Sequence, residues 1–445
     1  MQQQFDVFVR WRPLSVSEPR AITHITEKHP AAHSISISSD RPWNSEPAFR
    51  EIFSPESTNA TVFQRVVSPV LPRVLAGQTC NFFAYGHSGS GKSHTVIGYE
   101  FNHTDEFGLC LASARVLFEE LDRLNSTDGT QEGRLGLGLR LYELRKNIAF
   151  DLLNEHCKCH VREGYDGRTH IRGETEMLED GKVRVRPILT QACWSFDELR
   201  EYLLAGLARR ATGTSTVHDL SSRTHAVLEL EIVTQALLDA REAVVERQSE
   251  LVPVAKRATD IYLEENIMGY IQSSDGKYAP NPDYRIDQTR IDEAEAKKAE
   301  FEAYVQQAED HVTTVSKECP HACLGGKFVF VDLAGSEYYH DKTKTAETRP
   351  KQTPQEQQEG RQINTDLLAL KEVIRARALK QARVPFRSSP LTMVMREHFQ
   401  PAGTDSYSAM ILTASPSTTQ LSATVNTLKY GNLVGAAGKK TKSVR

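Results

Sequence analysis

The sequence has no apolar run approaching the roughly 18 to 20 residues that cross a bilayer, so a helical membrane span is excluded. Its opening, MQQQFDVFVRWRPL, lacks the basic start, apolar core and small-residue cleavage site of a secretory leader, and a cytosolic, reducing setting is expected. Basic charge is not in excess: 54 Lys and Arg against 58 Asp and Glu leave a net charge of −4. A polyanionic partner must then be met by a local patch, and neither a nucleic-acid partner nor insertion into a membrane is expected. The seven cysteines are odd in number and irregularly spaced, which does not suit a disulfide framework. Two groups, HCKCH at His156 to His160 and CPHAC at Cys319 to Cys323, hold zinc-type side chains. Their spacing departs from the usual paired cysteines, and both read as polar loops. Internal repeats and sustained low-complexity tracts are absent as well.

What is present is a chain of 445 residues, 39% of them hydrophobic, enough for one large core. Short β-branched runs alternate with helix-like stretches: FDVFVRW, CNFFAYG, LGLRLYEL, HAVLELEIV, KFVFVDLAG and SAMILTAS. This alternation predicts an α/β fold, a central, mostly parallel mixed sheet flanked by helices on both faces. Three stretches interrupt it. Residues 15–47, rich in Ser, Pro and His, read as an irregular loop. Residues 238–325 separate two strands by far more than a hairpin needs and read as an insertion. Within them Phe301, Val305, Ala308, Val312 and Val315 recur at helical spacing, which predicts an amphipathic helix that packs on the parent domain or meets a partner. Residues 338–358 are polar and read as a mobile loop.

The strongest chemical signal is GHSGSGKS, directly after the apolar strand CNFFAY. Gly86, Gly89 and Gly91, with His87, Ser88 and Ser90 between them, let backbone amides curl around phosphate oxygens. Lys92 can reach the β and γ phosphates, and the Ser93 hydroxyl can ligate magnesium. A P-loop alone leaves GTPases, helicases, transporters and motors open, and the γ-phosphate sensor decides among them. FVFVDLAGSE supplies Asp332 at a strand end, placed to hold magnesium through water, and Gly335, whose amide can reach the γ phosphate. HDLSSRTH supplies Ser221 and Ser222 as hydroxyl ligands and Arg223 as a cation.

These residues resemble the kinesin superfamily motor domain. DLAGSE is kinesin-like in all six positions, and SSRTH nearly matches the family's SSR(S/T)H switch, whereas the base-selecting NKxD of a GTPase is absent. The resemblance implies that Arg223 and Glu337 form the ion pair that closes both switches over the nucleotide, so that water attacks a shielded phosphate. It covers most of the chain: RWRP (Arg10, Arg12, Pro13) matches the adenine-side motif, His94 stands where the family stacks a ring on the base, and EGRQINTDLLALKEVIRA, VPFRSSPLT and NTLKYGN resemble later family elements. LLALKEVIRA looks like the microtubule-depolymerising kinesins, but their Lys-Val-Asp loop is absent from residues 15–47.

The resemblance therefore implies one motor domain over residues 1–445, with ATP and Mg2+ as ligands, microtubules as partner and the cytoplasmic cytoskeleton as location. The insertion spans residues 238–325, and residues 434–445 form a flexible basic tail or the start of a neck linker. Candidates for meeting acidic tubulin are Lys342, Lys344, Arg349, Lys351, Arg383, Arg387 and Arg396. Departures from the family are His218 ahead of SSR, His87 for the usual Gln, Pro390 for the usual Lys, and a longer loop after Glu337. They fall mainly on the track side, which defines the alternative: a microtubule-binding module whose ATPase is slow, uncoupled or silent.

Overall fold

A computed structural model describes residues 5–128, 133–164, 167–211, 223–272, 277–336, 354–399 and 406–437. Its strands are β1 (Phe5–Trp11), β2 (His24–His29), β3 (Ala32–Ile37), β4 (Trp43–Asn44), β5 (Glu51–Phe53), β6 (Thr79–Tyr85), β7 (Gly136–Arg145), β8 (Ile148–Asp151) and β9 (Cys157–Glu163). They continue as β10 (Thr169–Met177), β11 (Val183–Pro187), β12 (Gln191–Cys193), β13 (His225–Val233), β14 (Tyr270–Gln272), β15 (Tyr278–Pro280), β16 (Lys327–Asp332) and β17 (Ser406–Ala414). The helices are α1 (Asn59–Val66), α2 (Leu71–Val74), α3 (Lys92–Val96), α4 (Leu109–Asp128), α5 (Phe196–Ala211), α6 (Gln235–Gly269), α7 (Gln288–Glu318), α8 (Pro354–Ala378), α9 (Pro390–Phe399) and α10 (Leu421–Ala437).

Twelve strands make one mixed sheet in the order β11, β10, β9, β8, β7, β13, β16, β6, β17, β1, β5, with β12 beside β7. Every pairing among β16, β6, β17, β1 and β5 is parallel. From β13 outward the pairings are antiparallel. Parallel geometry is thus confined to the half that carries the P-loop, where helices carry the chain from β5 to β6 and from β16 to β17; beyond β7 the strands β8 to β11 follow one another as neighbours.

Alternation along the central strands sorts their side chains onto two cores. Phe82, Leu228, Leu230, Phe328 and Phe330 face one core, closed by Val62, Phe63, Leu117 and Leu203 from α1, α4 and α5. Phe83, Tyr85, Val227, Val329 and Val331 face the other, closed by Ile363, Leu370, Val394 and Leu428 from α8, α9 and α10. Burial on both faces is why these strands read as continuous apolar runs. Glu229 and Glu231 are exceptions on β13. Burial alone raises a carboxyl pKa, but Lys327 reaches both at 3.6 Å, and His398 (3.2 Å) and Arg241 (2.8 Å) complete the neutralisation, holding both well below the carboxylate range.

Four expectations need correction. Residues 15–47 are not simply a loop: β2, β3 and β4 form a small antiparallel sheet there, because Ile35 and Ile37 alternate into the core and Trp11 stacks on His24 at 4.3 Å. The end of the 338–358 stretch is helical, since Pro354 occupies the first position of α8, where its missing N–H costs nothing; residues 338–353 lie outside the described residues. HCKCH is not a loop, as Cys157 to His160 lie on β9, with Cys159 in the core. Residues 434–437 remain in α10, with Val434 buried and Gly435 close against Ala48, so the expected tail begins no earlier than residue 438, outside the described residues.

Between β13 and β16 stand two long helices, α6 of 35 residues and α7 of 31. Arg247 lies over the Tyr304 ring at 5.8 Å and Arg290 meets Glu264 at 2.7 Å, a register that makes the pair antiparallel. The stripe predicted on α7 packs mainly on α6 of the same segment, with Val305 buried. At the far end Glu265 accepts from Tyr284 Oη (2.6 Å), Asp287 N (3.0 Å) and Arg290 Nη1 (2.6 Å). The tyrosine hydroxyl, then the backbone and the guanidinium, pull its pKa down to about 2 from 4.5. Its contribution is therefore complete above pH 4.5 and is lost as pH falls towards 2. In Glu265→Gln, amide hydrogen exchange at Tyr270 to Gln272 should accelerate while β6 keeps its protection; equal rates in both proteins would show that the carboxylate does not hold this end.

Candidate nucleotide site and switch region

β6 delivers the P-loop to the carboxyl edge of the parallel strands, where open α/β sheets bind ligands. Gly89 (φ 71°) and Gly91 (φ 102°) take left-handed conformations that L side chains resist, and the chain turns directly into α3. A Cβ at Gly89 would meet nothing within 4 Å, so the crest of the loop faces open space. Gly86 is constrained instead by contact: a Cβ there would lie 2.5 Å from Ser90 Oγ and from Thr413 of β17. Ser90 Oγ donates to the His87 carbonyl at 2.7 Å and pairs with Thr413 Oγ1 at 2.7 Å, and Lys92 Nζ donates to the same carbonyl at 2.9 Å. The lysine charge is thereby folded over the loop.

Asp332 ends β16, in register with Ala84 of β6. Ser93 Oγ donates to its Oδ2 at 2.7 Å, and Arg210 Nη1, from the end of α5, reaches the same oxygen at 3.1 Å. Asp332 is 1% exposed, and its Oδ1 has no hydrogen-bond partner among the described residues. His87 Nε2 and Ser336 Oγ, also buried, share this condition, and Ser336 N donates to the Gly86 carbonyl at 3.1 Å. A buried orphan carboxylate oxygen beside a serine hydroxyl, under an open glycine crest, fits a magnesium ion held largely by phosphate oxygens.

The two segments expected to act as switches meet around this point. Ala334 N donates to His225 Nδ1 at 3.0 Å, and Arg210 also reaches Thr224, so Arg223-Thr224-His225 is tied to the segment carrying Gly335, which is buried. Arg223 Nη1 lies 3.9 Å from Glu359 Oε2 on α8, and Glu359 takes Arg145 at 2.7 Å. Ser221, Ser222, His218 and Glu337 lie outside the described residues.

On the base side, Arg10 is buried and spent internally, on Asn59 Oδ1 (2.6 Å), Thr95 Oγ1 (2.9 Å) and the Ser57 carbonyl (3.1 Å); burial brings its pKa down to about 10. It anchors β1 to α1 and α3. Arg12 is held by Glu18 and Gln420 and donates to the Pro13 carbonyl at 2.8 Å. His94 is partly exposed with its ring 5.7 Å from that of Tyr99.

Of the residues expected to meet an acidic partner, Arg383 is exposed, while Arg387 and Arg396 both bond Glu163. Lys342, Lys344, Arg349 and Lys351 lie outside the described residues. Pro390 opens α9, with Ser389 Oγ accepting from Thr392 N at 3.2 Å as a cap, so the departure at this position suits a helix start. The roles of Arg210, Glu359 and Asn59 are not visible in the sequence. Arg210 and Asn59 sit in no short motif, and Glu359 opens EGRQINTDLLALKEVIRA without a role being assigned to it.

A P-loop at the carboxyl edge of a sheet with parallel neighbours, facing a strand-end aspartate, defines a P-loop nucleoside triphosphatase fold. The family described as Kinesin motor domain matches residues 10–255 and 299–436, and the chain belongs to it. It is 26% identical over 394 residues to the kinesin-like protein KIF24 of Homo sapiens, covering 88% of this chain and 20% of that protein. To kinesin-like protein KIN-13B of Arabidopsis thaliana it is 27% identical over 395 residues, covering 89% and 41%. The chain thus spans well under half of these relatives. Among solved structures, the motor domain of the Kar3-like kinesin from Ashbya gossypii shares the fold, with a TM-score of 0.57 and 19% identity, over 97% of this chain and 99% of that one.

Two outcomes follow from the site. Arg210→Ala leaves Asp332 and Glu143 buried without their shared cation and should cost about 3–5 kcal/mol in denaturant unfolding; a loss under 1 kcal/mol would mean the pair is not desolvated as drawn. Burial lowers the His87 pKa from 6.5 to about 4. The unfolded chain then takes up a proton that the folded chain refuses, and stability falls as pH drops from 6.5 to 4, by on the order of 3 kcal/mol in full. His87→Gln should flatten that acid limb, read by urea unfolding at pH 7.5 and 5; parallel losses in both proteins would contradict it.

Proposed function

We propose that this kinesin motor domain binds and hydrolyses Mg-ATP and couples the cycle to microtubules in the cytoplasmic cytoskeleton. The observation that carries the reading is the Ser93–Asp332–Arg210 cluster beneath the P-loop, with one buried aspartate oxygen left unpaired. Ser93, Ser222 and Asp332 are the residues to hold magnesium, which supplies the charge that neutralises the phosphate oxygens. Lys92 and the amides of residues 86–91 grip the phosphates, and Gly335 senses the terminal one. Pro13, His94 and the backbone around Arg10 and Arg12 frame the base.

Arg223 is the mobile cation. In the structure it stands beside Glu359, which Arg145 also holds, so α8 keeps it close to the site. Exchange of Glu359 for Glu337 closes the switches, positions water and excludes bulk solvent. Residues 1–445 act as one motor unit, with 238–325 as an insertion and the segment beyond residue 437 as its tail or linker start. Lys342, Lys344, Arg349, Lys351 and Arg383 join Arg387 and Arg396 on the tubulin-facing side.

ATP turnover should rise when microtubules are added. Glu337→Ala should bind ATP as the parent does but turn it over about a hundredfold more slowly or worse, since Arg223 then lacks its closing partner. Turnover indifferent to both changes would sink the motor reading. It would favour instead a microtubule-binding module with a slow or uncoupled ATPase, a reading supported by the engagement of Arg387 and Arg396 within the chain.

A further inference from the structure

The two described arginines that α9 and its leading turn offer to an acidic partner are bonded to a carboxylate of this same chain. Glu163 closes β9. Arg387 meets it with both prongs of the guanidinium, Nε to Oε2 at 2.6 Å and Nη2 to Oε1 at 2.7 Å, and Arg396 Nη1 reaches Oε1 at 3.3 Å. Beside this contact Thr169 N of β10 donates to Glu397 Oε1 at 3.1 Å, so the β9–β10 hairpin lies along α9. The Arg387 side chain is 77% exposed and that of Glu163 only 21%, which puts the guanidinium outside and the carboxylate beneath it.

We propose that Glu163 is a built-in stand-in for an acidic side chain of the track, occupying Arg387 and Arg396 until a partner carboxylate displaces it. The inference rests on the reading of this face as tubulin-binding. Two-pronged pairing with a planar carboxylate is the geometry an arginine uses on a protein partner. Binding is then an exchange of one ion pair for another, and each arginine contributes only the difference between the two carboxylates. A lone acidic residue gains little from that exchange. A dense acidic cluster gains more, because it engages both guanidinium groups at once and releases Glu163 to water. The face is thereby selective for closely spaced carboxylates, and its affinity depends less on salt than that of two unpaired arginines.

Holding α9 in place does not require Glu163. Leu391, Val394, Met395 and Phe399 bury the helix in the core, and an exposed ion pair adds little to stability. Removing the carboxylate should therefore change binding without unfolding the domain.

The test is cosedimentation of the full chain with microtubules, in a nonhydrolysable ATP analogue, across a salt series. Glu163→Gln is expected to lower the Kd by about three- to tenfold at low salt and to steepen the salt dependence. The Arg387→Ala, Arg396→Ala double variant should bind more weakly, and Glu163→Gln added to it should change nothing further. Thermal melting of each variant should match the parent, and Glu163→Ser serves if the glutamine variant does not. A double variant that binds weakly beside a Glu163→Gln variant that does not tighten overturns the mask alone. A double variant that binds like the parent overturns the reading of the face as well.

Discussion

A single buried carboxylate, Asp332, sets the terms for much of what surrounds it. At 1% exposure its charge is tolerable only with compensation, which Ser93 and Arg210 provide on one oxygen. Meeting those two demands fixes three elements relative to one another: α3 through Ser93, β16 through the aspartate itself, and α5 through Arg210. Arg210 carries the constraint on to Thr224 and Glu143, hence to the start of β13 and to β7. The remaining oxygen is available because the first has absorbed both donors. An arrangement in which each oxygen took one donor would be equally neutral but would leave neither oxygen wholly unengaged for a cation.

The sheet makes this economy possible. Parallel pairing of β16, β6 and β17 brings three carboxyl ends to one edge, so that Asp332, the P-loop and Thr413 converge without long side chains spanning the gap. The antiparallel half does a different task. β13 runs opposite to β16 and so brings its amino end, with Arg223, Thr224 and His225, to that same edge. A single change of strand direction thus places Arg223 to His225 beside the segment that follows Asp332.

How much of this was legible in the sequence depended on the range of the interaction. The P-loop, Asp332 and the paired apolar strands were readable because their signals are local: glycine spacing, a strand end, period-two burial. Ile35 and Ile37 carried the same period-two signal, but the Ser, Pro and His around them masked it. Arg210 and Glu359 were not readable, since what makes each important is a partner more than a hundred residues away, Asp332 for one and Arg145 or Arg223 for the other. The stripe of α7 was visible, yet its principal receiving surface, α6, was not. α6 contains Pro253 and has only scattered buried positions, and its partner declares itself only once the chain has doubled back.

The place where α6 and α7 leave the sheet has its own consequence. They depart from the carboxyl end of β13 and return at the amino end of β16, the edge of the sheet remote from Asp332 and Arg223. Because those two strands stay paired along their length, the chain entering and leaving the excursion is pinned at a fixed short separation whatever lies between. Loop-closure entropy grows only with the logarithm of length. This edge is therefore a graft point, at which a helical excursion can lengthen or shorten while the geometry at the opposite edge stays undisturbed.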